Sequence, residues 1–400
     1  MSPQAADSAV HGSGQRSLYQ RLIFIDALRV AAVALVIVHH AAQAYGPTGG
    51  FWPVHDKAQS AWFLPFYTAN AAFGMGLLFL VAGYFTSASV ARKGARLFLR
   101  ERWARIGIPL VSLVLLVHLP ALYLIDGRPA LGPFARHLYA HGWQPIYLHL
   151  WFLAHLMLYS AAFVAWRQLV EGFKAAHPAW PPPGFAYIAG FVAALALITW
   201  IARLRYPIDD WVPLLWIMPA EPAHLPQYVA LFAAGLAAQR GDWFRKMPTS
   251  AGLRWLAVGI IASSGIYLAY ALGPWNTLMT AGGFSLASLI RSGWETLIAA
   301  SLSIGLIVAF REMRCRPSRA LAALSAASFG AYILHPAIVV ALQVASLHVA
   351  LPAIVKFAAV SALGTMLSFL LAHLAGKVPV VKAALGASSG RDAAVVHTAD

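Results

Sequence analysis

The sequence has few groups that could cover a water-exposed surface. Only 11% of its 400 residues are charged, whereas 60% are hydrophobic and the mean hydropathy is +0.67. A chain this poor in charge cannot surround a hydrophobic core with polar side chains. Its one cysteine, Cys315, excludes an intramolecular disulfide framework. The composition therefore predicts a polytopic membrane protein.

Several enzyme motifs are also missing. The sequence contains no Cys-x-x-Cys pair, no His-Glu-x-x-His, no P-loop and no Gly-x-Ser-x-Gly. Metal-dependent hydrolysis and nucleoside-triphosphate chemistry therefore have no motif support. We expect no metal site and no tightly bound cofactor.

What is present is a series of apolar runs near the length of 20 residues that a membrane-spanning helix needs. These runs predict an all-α fold, a bundle of about ten transmembrane helices. The sixth run is short and the ninth contains Pro336, so nine and eleven spans are alternative counts. The predicted spans are 22–45, 63–88, 106–125, 147–166, 184–202, 225–239, 253–272, 293–310, 320–346 and 350–375.

Basic residues favour one set of connecting segments. With a cytoplasmic N-terminus, 21 of the 29 Lys and Arg residues fall in cytoplasmic segments, counting Arg254 at the cytoplasmic end of the span 253–272, as the positive-inside rule requires. This bias accounts for most of the net charge of +15 without a nucleic-acid partner. We expect a disordered cytoplasmic tail over 1–20, a transmembrane domain over 21–376 and a cytoplasmic C-terminal tail over 377–400.

The first span carries ionisable residues, which are costly in a bilayer and usually functional. Arg29 and His40 are eleven positions apart, which on a helix returns to within roughly 20° of the same face. His39 falls about 80° away from that face. The spacing predicts a stripe that combines an anion-binding group with a proton-transfer group roughly 16 Å further along the axis.

A second basic feature is the segment 91–105, which includes Arg102 and Arg105. Arginines recur there every three to four residues, so an interfacial helix would have one basic face. Contact with lipid headgroups and control of topology form one interpretation. The other is that these guanidinium groups bind the phosphates of a cytosolic cofactor.

Further candidates occur near the predicted span ends. His149 and Trp151 open the fourth span, where an aromatic belt or an interfacial anchor is the simpler interpretation. Glu221 and His224 precede the sixth span, where a solvated loop is the alternative to a binding site. His335 lies deep in the ninth span beside Pro336, which favours a cavity or a functional kink.

Five short motifs resemble those of the acyltransferase 3 family of membrane O-acyltransferases. The resemblance runs from about residue 21 to residue 375 and is nearest to a subgroup associated with succinylation of periplasmic glucans. The family's usual serine in the second motif is Ala82 here, so no role for that hydroxyl carries over. The motifs are 21–29 leading to His40, 78–85, 102–109, 149–153 and 332–335.

The resemblance implies that acyl-CoA is the donor and that the acceptor is a carbohydrate hydroxyl on the far side of a bacterial inner membrane. It assigns the family's Arg and His pair to Arg29 and His40. His40 is then the general base or, alternatively, a nucleophile that forms an acyl-histidine. Arg102 and Arg105 fall on the basic motif and would bind the nucleotide part of CoA.

The remaining candidates are assigned around this pair. His335 would share proton transfer or position the acceptor, and we expect the other four to bind substrate. The competing function is a multi-pass transporter of a small solute or anion, followed by a membrane scaffold. The acyl chain, the acceptor and the oligomeric state stay open. The expected substrate-binding residues are His149, Trp151, Glu221 and His224.

Overall fold

The computed structural model describes residues 22–47, 52–171, 180–273 and 280–378. The predicted N-terminal tail, 1–20, and nearly all of the predicted C-terminal tail lie outside these residues. Within the described part the regular secondary structure is helical except for one two-stranded hairpin. The prediction of an all-α membrane protein is confirmed.

The helices are numbered in chain order. Nine helical stretches in the described residues are long and apolar enough to cross a membrane, and α3 to α5 together form one of them. The elements are α1 Ile23–Ala42, α2 Phe63–Lys93, α3 Ala95–Arg102, α4 Ile108–Leu113, α5 Leu119–Ile125, α6 Leu131–Ala140, α7 Gln144–Tyr147, α8 Trp151–Glu171, α9 Phe185–Arg205, β1 Val212–Leu214, β2 Met218–Ala220, α10 Leu225–Gly241, α11 Trp243–Lys246, α12 Thr249–Leu272, α13 Leu286–Glu312, α14 Arg319–Ser346 and α15 Ala353–Ala375.

The third span begins earlier than the sequence predicts. Gly94, with φ +77°, joins the end of α2 directly to α3. A residue without Cβ adopts this conformation at low cost. From Ala95 the chain stays helical to Ile125 through two π-helical turns, Trp103–Gly107 and Val114–His118. The basic segment 91–105, predicted as an interfacial helix, is therefore mostly the first part of a membrane-spanning stretch.

The sixth predicted span forms α10, which is 17 residues long. This corresponds to roughly 26 Å, slightly less than a hydrocarbon core of about 30 Å. It packs against α2 with the backbones in contact. A Cβ added to Gly83 would lie 2.1 Å from the carbonyl oxygen of Phe232, and one added to Gly235 would lie 2.1 Å from that of Leu80. Small residues permit this close packing.

α10 and α2 run in the same direction. Gln227, near the start of α10, donates a hydrogen bond to the carbonyl oxygen of Ala72, and Gln239, near its end, accepts one from Ser87. The segment before α10, which includes the β-hairpin, therefore enters the bundle to reach the level of Ala72. This entry brings a connecting segment to the functional site.

The bundle has two distinguishable ends. α1, α3, α12 and α14 begin at one of them, which we call the basic end because Arg92, Lys93 and Arg311 lie there. α1 and α14 pack side by side from this end, and α14 remains one helix through Pro336. α1 also contacts α2 and α13. These four helices enclose the space described next.

Candidate functional site

A cavity of about 570 Å³ lies among α1, α2 and α13, with further walls from α8, α14 and the segment before α10. Its walls are apolar toward the basic end and polar toward the opposite end. From Leu28 to His40 it follows α1 for roughly 18 Å. On α13 it extends from Arg291 to Phe310, close to the end of that helix. The cavity thus connects a polar site to the region near the basic end.

At the polar end, three imidazoles form what we call the histidine group: His40, His149 and His335. The ring centroid of His335 lies 5.0 Å from that of His40 and 5.1 Å from that of His149. His335 is fully buried, whereas His40 and His149 line the cavity. The buried His335 therefore contacts both His40 and His149, which can reach a substrate.

Hydrogen bonds define the tautomer of His40. Its Nδ1 lies 2.9 Å from the carbonyl oxygen of Val36 and 3.2 Å from Nε2 of His335. A carbonyl oxygen only accepts, so Nδ1 of His40 must carry the proton. By the same argument His335 donates from Nδ1 to the carbonyl oxygen of Tyr332, at 2.7 Å, which leaves its Nε2 as an acceptor. In the neutral ring, Nε2 of His40 is then unprotonated and available in the cavity.

Two residues outside α1, Trp52 and Gln343, hold His40 in this orientation. Trp52 stacks on its ring, with centroids 5.1 Å apart. The Trp52 indole donates to Gln343, at 2.6 Å, and the Gln343 amide donates to the carbonyl oxygen of His40, at 3.0 Å. Together with His335 these contacts restrict rotation of the imidazole.

On the other side of the polar end is a group of charges that we call the ion network: Arg203, Glu221, His224, Arg291 and Glu295. Arg203 and Glu295, from α9 and α13, are 1% and 3% exposed and form an ion pair. Arg291 lies 3.0 Å from Glu295 and His224 lies 3.4 Å from it. Nδ1 of His224 is also 2.8 Å from Glu221. The network joins two helices to the segment that enters the bundle.

The charge states in that segment depend on these contacts. Burial disfavours charge on His224, but the carboxylates of Glu221 and Glu295 raise its pKa to about 9. Burial alone would raise the pKa of Glu221, and the nearby His224 lowers it instead. Burial and the charge of Glu221 raise the pKa of Asp209. His224 is therefore protonated at neutral pH.

The predicted arginines lie outside the cavity lining. Arg29 is 3.0 Å from Asp26 and donates to the Ser325 hydroxyl at 2.6 Å, so it shares with His40 the face of α1 that contacts α14. Arg102 donates to Thr86 at 3.2 Å, and its buried Nε has no hydrogen-bond partner in the described residues. Arg105 is exposed.

The four residues expected to bind substrate all line the cavity. The alternative interpretation of Glu221 and His224 as solvated loop residues is wrong, because both side chains are only 9% exposed. Trp151 lies against Tyr228, with centroids 5.3 Å apart, and forms an aromatic wall. Their roles in binding stay predictions.

Sequence analysis did not identify the rest of the ion network. The fifth predicted span ended at 202 and the eighth began at 293, which placed Arg203 and Arg291 in loops. Glu295 fell inside a predicted span and was overlooked, although a carboxylate there is a functional signal. The same signal marks Lys356, which pairs with the buried Asp56 at 2.7 Å.

Comparisons with known proteins agree with the resemblance noted in the sequence. A family model, Acyl_transf_3, described as an acyltransferase domain, matches residues 22–373. Glucans biosynthesis protein C of Salmonella schwarzengrund (strain CVM19633) is 26% identical over 196 residues, which cover 46% of this chain and 48% of that protein. The protein of the same name from Salmonella typhi is 27% identical over the same length and shares.

The chain thus spans about half the length of the curated relatives it matches. No solved structure matches it. The family model, in contrast, covers most of the chain and all of the membrane-spanning helices except the end of the last one. This polytopic membrane protein therefore belongs to the acyltransferase 3 family and carries its acyltransferase domain.

Proposed function

We propose that the protein transfers an acyl group from cytosolic acyl-CoA to a hydroxyl group of an extracytoplasmic carbohydrate. Succinylation or acetylation of a glucan is the first reaction to test, since the relatives are named for glucan biosynthesis. The protein would lie in a bacterial inner membrane with both termini in the cytoplasm.

The observation that carries the proposal is the cavity. Its apolar walls suit the uncharged arm and thioester of acyl-CoA, entering from the basic end. Its polar end offers a general base, Nε2 of His40, together with groups that suit a polyhydroxylated acceptor. A donor and an acceptor entering from opposite ends would therefore meet at His40.

The chemistry follows from the tautomer of His40. Its Nε2 takes the proton of the acceptor hydroxyl as that oxygen attacks the thioester carbon. Nδ1–H remains bonded to the carbonyl oxygen of Val36 and faces Nε2 of His335, so both stabilise the imidazolium. The C–S bond then breaks, and the proton passes from His40 to the departing CoA thiolate. Catalysis would thus use His335 as a positioning residue.

The arginines would bind the nucleotide part of CoA. Among the residues that the structure describes, none accepts a hydrogen bond from the buried Nε–H of Arg102, and a phosphate oxygen would satisfy it. The exposed Arg105 follows three positions later. Arg29 lies on α1, eleven positions before His40. On the acceptor side, the wall formed by Trp151 and Tyr228 suits the apolar face of a sugar ring, and Glu221 suits its hydroxyl groups.

The test measures release of free CoA thiol by the purified protein in lipid, with acetyl-CoA and succinyl-CoA as donors and glucans as acceptors. We expect acceptor-dependent release that falls by about 100-fold or more in His40→Ala, since a general base contributes on the order of 10² to 10⁴. His39→Ala is the matched control and should lose much less activity.

Other outcomes would redirect the assignment. Loss in His39→Ala alone would contradict the choice of His40. A mass increase on rapidly quenched wild-type protein, absent in His40→Ala, would favour the acyl-histidine alternative over the general base. If no donor releases thiol while a labelled solute crosses the membrane, the transporter becomes the better assignment.

A further inference from the structure

Within the histidine group, His149 is the member whose ring nitrogens make no hydrogen bond of normal geometry in the described residues. Its side chain is 9% exposed and lines the cavity. The backbone carbonyl of Ile333 lies near the ring, but neither nitrogen makes a hydrogen bond of normal geometry with it or with any other described residue. A buried polar group without a partner is costly, so a native protein keeps one where a ligand completes it.

The backbone around His149 is held firmly in place. Leu148, immediately before it, has φ +49°, an unfavourable conformation for a residue with a branched side chain. The hydroxyl of Tyr332 donates to the carbonyl oxygen of His149. Such strain persists where the surrounding structure determines the conformation, and it is typical of functional sites. The imidazole is therefore fixed at the cavity wall.

The position of His149 near His40 suits a hydrogen-bond donor to the substrate. The ring centroids of His40 and His149 each lie about 5 Å from that of His335. Asn70, on α2, presents a second buried and unpartnered donor, Nδ2, to the same cavity. Within the described residues, His149 and Asn70 thus give this end of the cavity N–H groups that can donate to an acceptor atom of a ligand.

We propose that His149 is a catalytic residue that donates a hydrogen bond to the carbonyl oxygen of the thioester. This inference rests on the proposed function. When the acceptor oxygen bonds to the thioester carbon, the π electrons of the carbonyl move to its oxygen, and the N–H of His149 stabilises the resulting negative charge. When the C–S bond breaks, the carbonyl forms again and the thiolate takes the proton from His40.

The role predicts a kinetic signature that packing alone would not produce. His149→Phe should lower kcat by about 100-fold, the usual effect of removing one such donor, with KM for acyl-CoA changed less than about threefold. His149→Gln should recover part of this loss, because an amide N–H can also donate. Thermal unfolding in detergent checks that each variant is folded.

The neighbouring His118 provides a matched control. Its ring centroid is 6.2 Å from that of His149, but its Nδ1 already bonds the carbonyl oxygen of Ile146 at 2.8 Å, and it is not among the cavity-lining residues. His118→Phe should stay within about threefold of the wild-type kcat. Equal losses in the two Phe variants would overturn the proposal.

A dithioester analogue of the active donor tests the acceptor atom directly. Sulfur replaces the carbonyl oxygen in this analogue and accepts hydrogen bonds weakly. The ratio of wild-type to His149→Phe rates should be large with the thioester and approach one with the dithioester. An unchanged ratio would overturn the role of His149. Absence of thiol release by the wild type would instead contradict the proposed function.

Discussion

The cavity places two groups of polar residues side by side, and each contains histidine in a different chemical environment. In the histidine group, the hydrogen-bond partners of His40 are a carbonyl oxygen and another imidazole. In the ion network, His224 lies beside two carboxylates. The first environment presents a lone pair to the cavity, whereas the second holds a proton. Neighbouring groups therefore decide whether a histidine suits base catalysis or structural pairing.

The largest expected effect concerns the ion network and stability. Arg203→Ala would leave Glu295 buried beside fewer cations, which should lower the free energy of unfolding by about 3–5 kcal/mol. Denaturant unfolding in detergent measures this change. Arg254→Ala, at an exposed arginine, is the control and should change stability by less than about 0.5 kcal/mol.

A double variant sharpens this result. Arg203→Met combined with Glu295→Leu should recover much of the lost stability, because apolar residues can replace a buried ion pair as a unit. A single variant as stable as the wild type would show that the network is not what joins α9 to α13.

The next effect concerns activity. His335→Phe removes the acceptor for Nδ1–H of His40 and should lower kcat by roughly 10- to 100-fold with little change in KM. His335→Gln should retain more activity, since its amide oxygen can accept the same bond. Steady-state thiol release measures both variants. Equal losses in Phe and Gln would contradict a positioning role through this bond.

The last prediction concerns the pH dependence of stability. His224 has a pKa of about 9 in the folded protein against an ordinary value of 6.5. Its proton therefore stabilises the fold fully below pH 6.5, and this contribution is lost as the pH rises through 9. Tm should fall over this interval in the wild type and fall less in His224→Gln. The exposed His141→Gln should behave like the wild type, and a matching slope in His224→Gln would refute the role of His224.

The sequence predicted what depends on one helix at a time. Helical spacing placed Arg29 and His40 on one face, and both contact α14 in the structure. Apolar length predicted the fold class, and the depth of His335 singled it out within its span. These properties are local, since residue spacing and apolar length determine them.

The ion network and the contacts of His40 with Trp52 and Gln343 could not be predicted in the same way. Arg203 and Glu295 are 92 positions apart, and the segment that completes their network has no periodicity to predict its entry into the bundle. Trp52 stacks on His40 and is held by Gln343, which lies 291 positions further along the chain. Such pairs are determined by how the helices pack, which one sequence does not reveal. α3 was predicted as an interfacial helix and not as the start of the third span, because its arginines interrupt the apolar run.

The glycine contact between α2 and α10 also has a consequence for biogenesis. α10 is short for independent insertion, and its close fit to α2 requires that Gly83 and Gly235, each of which faces the backbone of the other helix, have no side chain. The ribosome completes α2 long before α10 emerges, so α2 must wait in the bilayer with its glycine surface unfilled. Arrival of α10 would then draw the segment carrying Glu221 and His224 inward, so that the polar end of the cavity is completed late in synthesis.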